Sequence, residues 1–418
     1  MKYELLKINL QLFAEPNTNV TTDSGLSDEM KTYYSDYLID MASPKLVHDQ
    51  FGQKHPIPKN GGKQIEFRKY DPLPKALTAL TEGVTPDGQK LTMSTITSEV
   101  HQYGAYITLS DMLMLTAIDN NLVQATKILG KQAGETLDTI TREVLNGGTN
   151  VQYAEGQVSS RAQLTGGQAS GNHYLTVDAI RMAVRTLKNQ NAEKIGDSYV
   201  GIIHPDISYD LVSDPAWKDV KNYDPEDWYA GEIGKIAGVR FVETTEAKIF
   251  KASNLTAANA TLKVKYPISA KTATIAVAEA ITADDAFKMA GKKVTIGSSS
   301  AAEYTILSAT AGVAGAASIT IDKAITATAN DVIATVGGGA GGRAVYSTLI
   351  LADNAYGVTE IEGGGLQHIV KQLGSAGTAD ALNQRATVGW KATKTAERLV
   401  EPYMVRIETC STFDSPAN

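Results

Sequence analysis

The sequence holds a single cysteine, Cys410. No intramolecular disulfide can form, and zinc frameworks built from several cysteines are excluded. Aromatic residues are only 7% of the chain while glycine reaches 36 residues, a balance that suits loops and thinly packed strands. No run approaches the roughly 18 to 20 continuous apolar residues that a membrane span needs. In Met1 to Pro16, Leu5, Leu6, Ile8, Leu10, Leu12 and Phe13 are interrupted by Glu4, Lys7, Asn9 and Gln11. That excludes a continuous apolar core for a cleaved signal peptide and leaves a short amphipathic segment, a disordered tail or a partner-binding segment. An excess of positive charge is also lacking. Lys and Arg total 39 against 46 Asp and Glu, a formal net charge of -7, whereas a protein that coats nucleic acid gains affinity by neutralising phosphates.

Catalytic signatures are missing too. The histidines are His48, His55, His101, His173, His204 and His368, and none has the spacing of a zinc site. There is no G-x-S-x-G elbow. The runs at Gly61-Gly62, Gly337–Gly342 and Gly363–Gly365 lack the ending of a phosphate loop and read as hinges or tight turns. Asp206, Asp210, Asp214 and the stretch Asp224 to Asp227 read as solvated acidic loops. Cys410 reads as an inert thiol. The expectation is a protein with no catalytic, cofactor-binding or metal site.

What is present is enough apolar material, 43% of 418 residues, for two or three domains. Residues 17 to 30 read as a flexible polar arm and 28 to 41 as a short helix, with Pro44 after it. Pro56, Pro58, Pro72, Pro74 and Pro86 exclude a long helix over 51 to 110. Within it, Lys63 to Tyr70 and Ser98 to Leu109 alternate with period two, which predicts a two-stranded ribbon around a long irregular connection. A ribbon of this kind is marginal alone and needs a surface to lie on. Lys63, Arg68, Lys69 and Lys75 interleave with Glu66 and Asp71, which suggests ion pairing between subunits.

The strongest helix pattern begins at Asp119, a candidate N-cap, and ends at Gly147-Gly148. Leu122, Ala125, Ile128, Leu129, Ala133, Leu137, Ile140 and Val144 form its apolar stripe, with Lys127, Lys131, Glu135, Asp138 and Arg142 opposite. Such a helix is roughly 40 Å long, a spine across a sheet. Residues 174 to 250 read as α/β, with Thr176 capping a helix, a buried strand at Tyr199 to Ile203, a helix over Asp206 to Ser213 and a strand at Gly238 to Glu243. From Lys251 to about Gly342 the chain turns Ala- and Thr-rich and nearly free of aromatics, with short β-type runs that predict a small all-β sandwich inserted into the α/β region. Tyr346 to Leu351 resumes the α/β pattern. Gln384 to Thr393 and Leu399 to Thr409 alternate as strands, to pair with the ribbon or lie along the spine helix.

Phe51-Gly52-Gln53, Ile57-Pro58-Lys59-Asn60, Ile65 to Tyr70 and Leu80-Thr81-Glu82-Gly83-Val84-Thr85-Pro86 resemble tailed-phage major capsid proteins of the N-four-gene-product type. So do Gln102-Tyr103-Gly104, Gly147 to Val151, Gly234 to Thr244 and Val388-Gly389-Trp390-Lys391, and Leu10 to Ala14 looks like the start of many capsid proteins from phages of Gram-positive hosts. The resemblance covers about 44 to 250 and 343 to 411, in chain order, and leaves out 251 to 342. It implies an α+β chain with the Hong-Kong-97-like fold. An N-terminal arm would occupy 1–50, an extended β-loop 51–110, and a peripheral domain with the spine helix 111–173 and 381–418. An axial domain would take 174–250 and 343–380, and an immunoglobulin-like β domain would be inserted at 251–342.

The resemblance further implies a homo-oligomer of hexamers and pentamers closing an icosahedral shell around double-stranded DNA, without sequence-specific binding and without a membrane. Portal, scaffolding and decoration proteins are implied partners. The implied location is the virion capsid, with the host cytoplasm during assembly. By position, Lys63, Glu66, Arg68, Lys69, Tyr70 and Glu82 are the candidate intersubunit contacts. Some relatives crosslink a ribbon lysine to a neighbour's asparagine; Lys63, Lys69 and Lys75 match by position only, and no crosslink is expected. The competing readings are a bacterial nanocompartment shell and a secreted adhesin or surface-layer protein.

Overall fold

The computed structural model describes residues 18–19, 47–70, 73–79, 82–83, 85, 87–116, 121–166, 173–217, 234–297, 303–372, 374–375 and 382–418. The amphipathic start, most of the polar arm, the helix expected over 28–41 with Pro44, Asp119 and the acidic stretch at 224–227 lie outside the described residues. The chain divides into two units.

The first unit contains residues 55–138 and 359–395. Strand His101–Ser110 pairs antiparallel with Arg385–Arg398 in an unbroken register from Arg385↔Ser110 to Lys394↔His101. Gln367–Lys371 lies on the other side of Arg385–Arg398. The stretch expected to return the ribbon is therefore two strands. Met93–Glu99 closes the ribbon, while His101–Ser110 joins the body and takes up the late alternating strand. Along Arg385–Arg398, Ala386, Val388, Trp390, Ala392 and Lys394 are buried, the period-two signature of one face against a core. Gly104 allows a close approach here, since a Cβ would stand 2.6 Å from the Trp390 carbonyl oxygen. Trp390 Nε1 donates to Gln132 Oε1 at 3.2 Å and Lys394 Nζ to the Leu137 carbonyl at 2.8 Å.

Helix Asn121–Asn146 confirms the expected spine but not its faces. Ala125, Leu129, Ala133, Leu137 and Leu145 are buried, yet so are Thr126, Asp138, Thr141, Arg142 and Asn146, and Ile128 is 63% exposed. The buried stripe advances in steps of four residues and is two residues wide, so it takes in Asp138 and Arg142, placed on the solvent face by hydropathy alone. Arg142 is neutralised within the second unit, donating to the Glu246 carbonyl at 3.0 Å and to Glu143 Oε1 at 3.0 Å.

The second unit contains residues 48–54, 139–358 and 396–418. Residues 359–380, expected to belong with 343–358, fall in the first unit where described, and the expected segment 381–418 divides at 395/396. The main sheet of the second unit runs Val151–Tyr153, Met404–Thr409, Val345–Leu351, Tyr199–Ile203, Val239–Glu243 and Lys235–Ile236. Its two central strands are buried at every position, as the near-continuous apolar runs require. Helix Val177–Asn189 starts at Thr176, whose Oγ1 accepts from the Ala179 N–H at 3.1 Å, and packs Ile180, Val184 and Leu187 into the core.

Asp206, Asp210 and Asp214 are not solvated loop residues. Helix Pro205–Ser213 uses the first two as clips for the C-terminal tail: Asp206 Oδ2 accepts from Tyr346 Oη at 2.7 Å and Ser415 Oγ at 2.6 Å, and Asp210 binds Ser411 Oγ at 2.6 Å and Thr412 Oγ1 at 2.8 Å. Asp214 accepts from the Val177 N–H at 2.9 Å. Burial and then the hydrogen bond to Asp206 push the Tyr346 hydroxyl up to about 12. Cys410 is fully buried, and its thiol is likewise pushed up to about 12 by burial, consistent with an inert side chain.

The inserted segment corrects two expectations. It is not a two-sheet immunoglobulin-like sandwich. Six antiparallel strands run in the order Thr261–Lys263, Val332–Thr335, Lys293–Ile296, Tyr304–Thr310, Ser318–Ala327 and Ile268–Ala276, with helix Ala283–Met289 between strands. The two end strands meet: the Lys265 N–H donates to the Ala276 carbonyl and the Ala278 N–H to the Lys263 carbonyl, both at 2.9 Å, so the sheet closes on itself as a barrel. Its core is Leu262, Val264, Ile275, Val294, Ile306, Ile319, Ile321 and Ile333. Nor is Gly337–Gly342 a flexible hinge. A Cβ on Gly338 would sit 2.8 Å from the Ala252 nitrogen, and the Ala340 N–H donates to the Leu164 carbonyl at 2.8 Å. These glycines serve close packing where the chain re-enters the main sheet.

Candidate functional site

The ribbon consists of Gln64–Tyr70 and Met93–Glu99, paired antiparallel from Gln64↔Glu99 at the root to Tyr70↔Met93 at the far end. Because directly opposed residues share a face, Gln64, Glu66, Arg68 and Tyr70 stand with Met93, Thr95, Thr97 and Glu99. Ile65, Phe67 and Lys69 stand with Ser94, Ile96 and Ser98. Among the described residues, the apolar face is covered near the root. His55 meets Phe67 edge-on at 5.7 Å between ring centroids, Ser98 is buried, and its hydroxyl hydrogen-bonds Thr395 Oγ1 at 2.9 Å.

Farther out the described residues of the ribbon are exposed. Tyr70 is 63% exposed, Leu77 86% and Leu91 62%, with Leu73 and Met93 also exposed. Seven paired positions span roughly 23 Å, so the uncovered apolar side chains stand well away from the root. Exposed apolar clusters of this kind mark interaction surfaces.

The candidate contact residues separate into two groups. Lys63 Nζ binds Glu99 Oε1 at 2.8 Å across the root, which raises the lysine pKa and lowers that of Glu99 through the hydrogen bond and its charge. Arg68 reaches Glu66 on its own strand at 3.5 Å. Lys63, Glu66 and Arg68 thus each have an exposed charged partner within the chain. Lys69, Tyr70 and Glu82 are exposed, and the turn at Glu82 includes Gly83 at φ 77°. Sequence reasoning centred on charge missed Leu73, Leu77, Leu91 and Met93. The available signal was leucine placed in a Pro-rich stretch with no alternation to bury it. Among the described residues, no group of three or more His, Cys, Asp or Glu side chains is placed to hold a metal ion.

The family model of the phage capsid proteins matches residues 54–334, a range that takes in the ribbon, the long helix and most of the inserted segment. No curated protein sequence matches the chain. Among solved structures, the capsid of Cyanophage P-SCSP1u aligns over 86% of this chain and 86% of that chain at 12% identity, with a TM-score of 0.50. The Cyanophage Pam1 capsid asymmetric unit aligns over 92% of this chain and 94% of that chain at 13% identity, also with a TM-score of 0.50. The chain belongs to the phage capsid protein family, and it is a major capsid protein of the Hong-Kong-97-like fold: a structural, self-assembling component of the virion shell.

Proposed function

We propose that this subunit assembles as hexamers and pentamers into the icosahedral shell of a tailed phage, enclosing double-stranded DNA, and that the ribbon is the extended loop that overlaps a neighbouring subunit. The observation that carries the reading is the uncovered apolar tip formed by Tyr70, Leu73, Leu77, Leu91 and Met93. At about 25 cal/mol per Å² of apolar area removed from water, a tip of this kind stabilises only a state in which another surface covers it. In this reading residues 1–50 act as the arm, 51–110 carry the loop, and the long helix with 111–173 and 381–418 forms the periphery. Residues 174–250 and 343–380 fill the capsomer centre, and the inserted barrel decorates the outer surface. The net charge of -7 suits a wall that does not grip packaged DNA. Assembly takes place in the host cytoplasm with portal and scaffolding proteins.

Deleting 73–85 tests the loop assignment. The subunit remains folded by circular dichroism, because every described residue of the deleted stretch is exposed, and it fails to form closed shells by electron microscopy. Normal particles from the deletion variant sink the assignment.

A further inference from the structure

We propose that the inserted barrel carries a binding site for neutral oligosaccharides, in a cavity opened where two of its strands part. Between Ile268↔Ala327 and Thr272↔Ile325 the strand Ile268–Ala276 has two more residues than its partner, and between Thr272↔Ile325 and Thr274↔Thr320 the excess passes to Ser318–Ala327. This double irregularity pulls Ser269–Lys271 and Asp322–Ala324 out of the ladder, and all six are exposed. Bulges recur beside binding sites because they re-aim side chains and open the sheet.

A cavity of about 740 Å³ lies at this point, inside the ~300–1,000 Å³ range of small-molecule sites, and barrel mouths are a common place for them. Its least exposed lining residues are apolar: Ile296 and Ile325 are each 6% exposed, and Ile268 and Tyr304 are half-buried. Ser269, Lys271, Thr326, Thr328 and Asp331 supply hydroxyls, an ammonium and a carboxylate. Asp331 already accepts from the Thr328 N–H at 2.6 Å and the Thr328 hydroxyl at 2.7 Å, one bond on each oxygen, so each retains a lone pair for a further donor. A floor of aliphatic and aromatic carbon under a rim of hydroxyls matches a pyranose ring, which presents C–H groups on its face and hydroxyls around its edge. One lysine and one aspartate balance in charge, which favours a neutral sugar over a phosphorylated or carboxylated one. The site is built by the inserted segment alone.

The test uses the full chain and a panel of neutral di- to tetrasaccharides of hexoses and N-acetylhexosamines, with phosphorylated and carboxylated sugars as separate arms. Saturation-transfer NMR and calorimetry read the binding. At least one neutral sugar binds in roughly the millimolar range or tighter. Ser269→Trp, which fills an exposed position at the cavity, and Thr326→Val, which removes one hydroxyl and keeps the β-branch, each weaken it by about tenfold or more. Phe287→Ser, at an exposed position outside the cavity lining, leaves it unchanged. If Ser269→Trp does not fold, Thr326→Val decides. No binding of any neutral sugar, binding of charged sugars only, or equal affinity in both cavity variants overturns the proposal.

Discussion

Phe250 stands directly opposite Val345, and Ile249 opposite Tyr346, in one antiparallel pair. Residues 251–344 therefore leave the main sheet and return to it at the same point, where a two-residue hairpin turn would suffice. The inserted barrel closes its own sheet around its own core, and at its neck Thr335 Oγ1 donates to the Ser253 carbonyl at 2.6 Å. Replacing 252–342 by a short Asn-Gly linker is expected to give a soluble subunit that unfolds cooperatively and still forms shells. Calorimetry and electron microscopy check this. Aggregation or permanent monomers would show that the barrel is structural to the shell.

Glu408 is completely buried and pairs with two arginines, accepting hydrogen bonds from Arg161 on both oxygens at 2.7 and 2.6 Å and lying 2.9 Å from Arg406 Nε as an ion pair. Phe250 lies under Arg161, 3.5 Å from guanidinium carbon to ring centroid. Replacing the whole cluster by apolar residues can be neutral, but removing one partner strands the others. Glu408→Ala is therefore expected to destabilise the subunit by about 3–5 kcal/mol. Arg161→Met costs less, because its side chain is 25% exposed and Arg406 still answers Glu408. Denaturant unfolding with unchanged slope measures both. Equal costs for the two variants contradict the account.

The ribbon and the spine helix were legible because each follows a local period, and the buried strand Tyr199–Ile203 because it is a short continuous apolar run closed by His204-Pro205. Asp138, Arg142 and Asp210 were misplaced because hydropathy assigns charge to solvent, while burial here is made tolerable by partners far along the chain, as between Arg142 and Glu246 or Asp210 and Ser411. The inserted strands were found, but not their closure. Nothing local says that Ile268–Ala276 pairs with Ser318–Ala327, so one barrel and a two-sheet sandwich look alike in sequence. Of the candidate contacts, Lys69 and Tyr70 are adjacent and both exposed, where the alternation of the ribbon gives out. The engagement of Lys63 with Glu99 depended on register, which a charge pattern does not give.

That register separates two lysines. Lys63 is paired at the root in an exposed ion pair, so Lys63→Ala is expected to change subunit stability very little, as exposed pairs do, and to leave shell formation intact. Lys69→Glu, near the uncovered tip, is expected to leave the subunit's melting temperature unchanged and to reduce shell yield several-fold. Sedimentation of assembly reactions reads both. A loss of shells with Lys63→Ala instead places the neighbour at the root.

Acid is expected to loosen the subunit in two stages. Burial lowers the pKa of His173, His204 and His368 below the ordinary 6.5, and at His204 it outweighs the pull of Asp206 and Glu243. Groups that hold a proton less readily when folded leave the unfolded chain with more bound protons, so stability falls as pH drops below about 6.5 and levels off once the folded imidazoles protonate. His204 also caps its helix, Nδ1 accepting from the Asp206 N–H at 3.1 Å, and a protonated ring cannot accept. The second stage has the carboxylate sign. Burial raises the pKa of Glu401 and Glu143, but hydrogen bonds from Thr149, Arg398 and Asn150 to the first, and from Lys248 and Arg142 to the second, outweigh it, and both lie below the ordinary 4.5. Their stabilisation is complete above about 4.5 and is lost as pH falls through the folded values. Glu401 ties the turn after the long helix to Arg398, which itself donates to the Val144 carbonyl at 2.7 Å, so the second stage frays that helix end. Melting temperature against pH should show both slopes. His204→Asn, which keeps an N-cap acceptor without a titrating proton, should flatten the upper one and leave the lower one in place, whereas Glu401→Gln should do the reverse; a single slope unaffected by either substitution assigns the acid response to other groups.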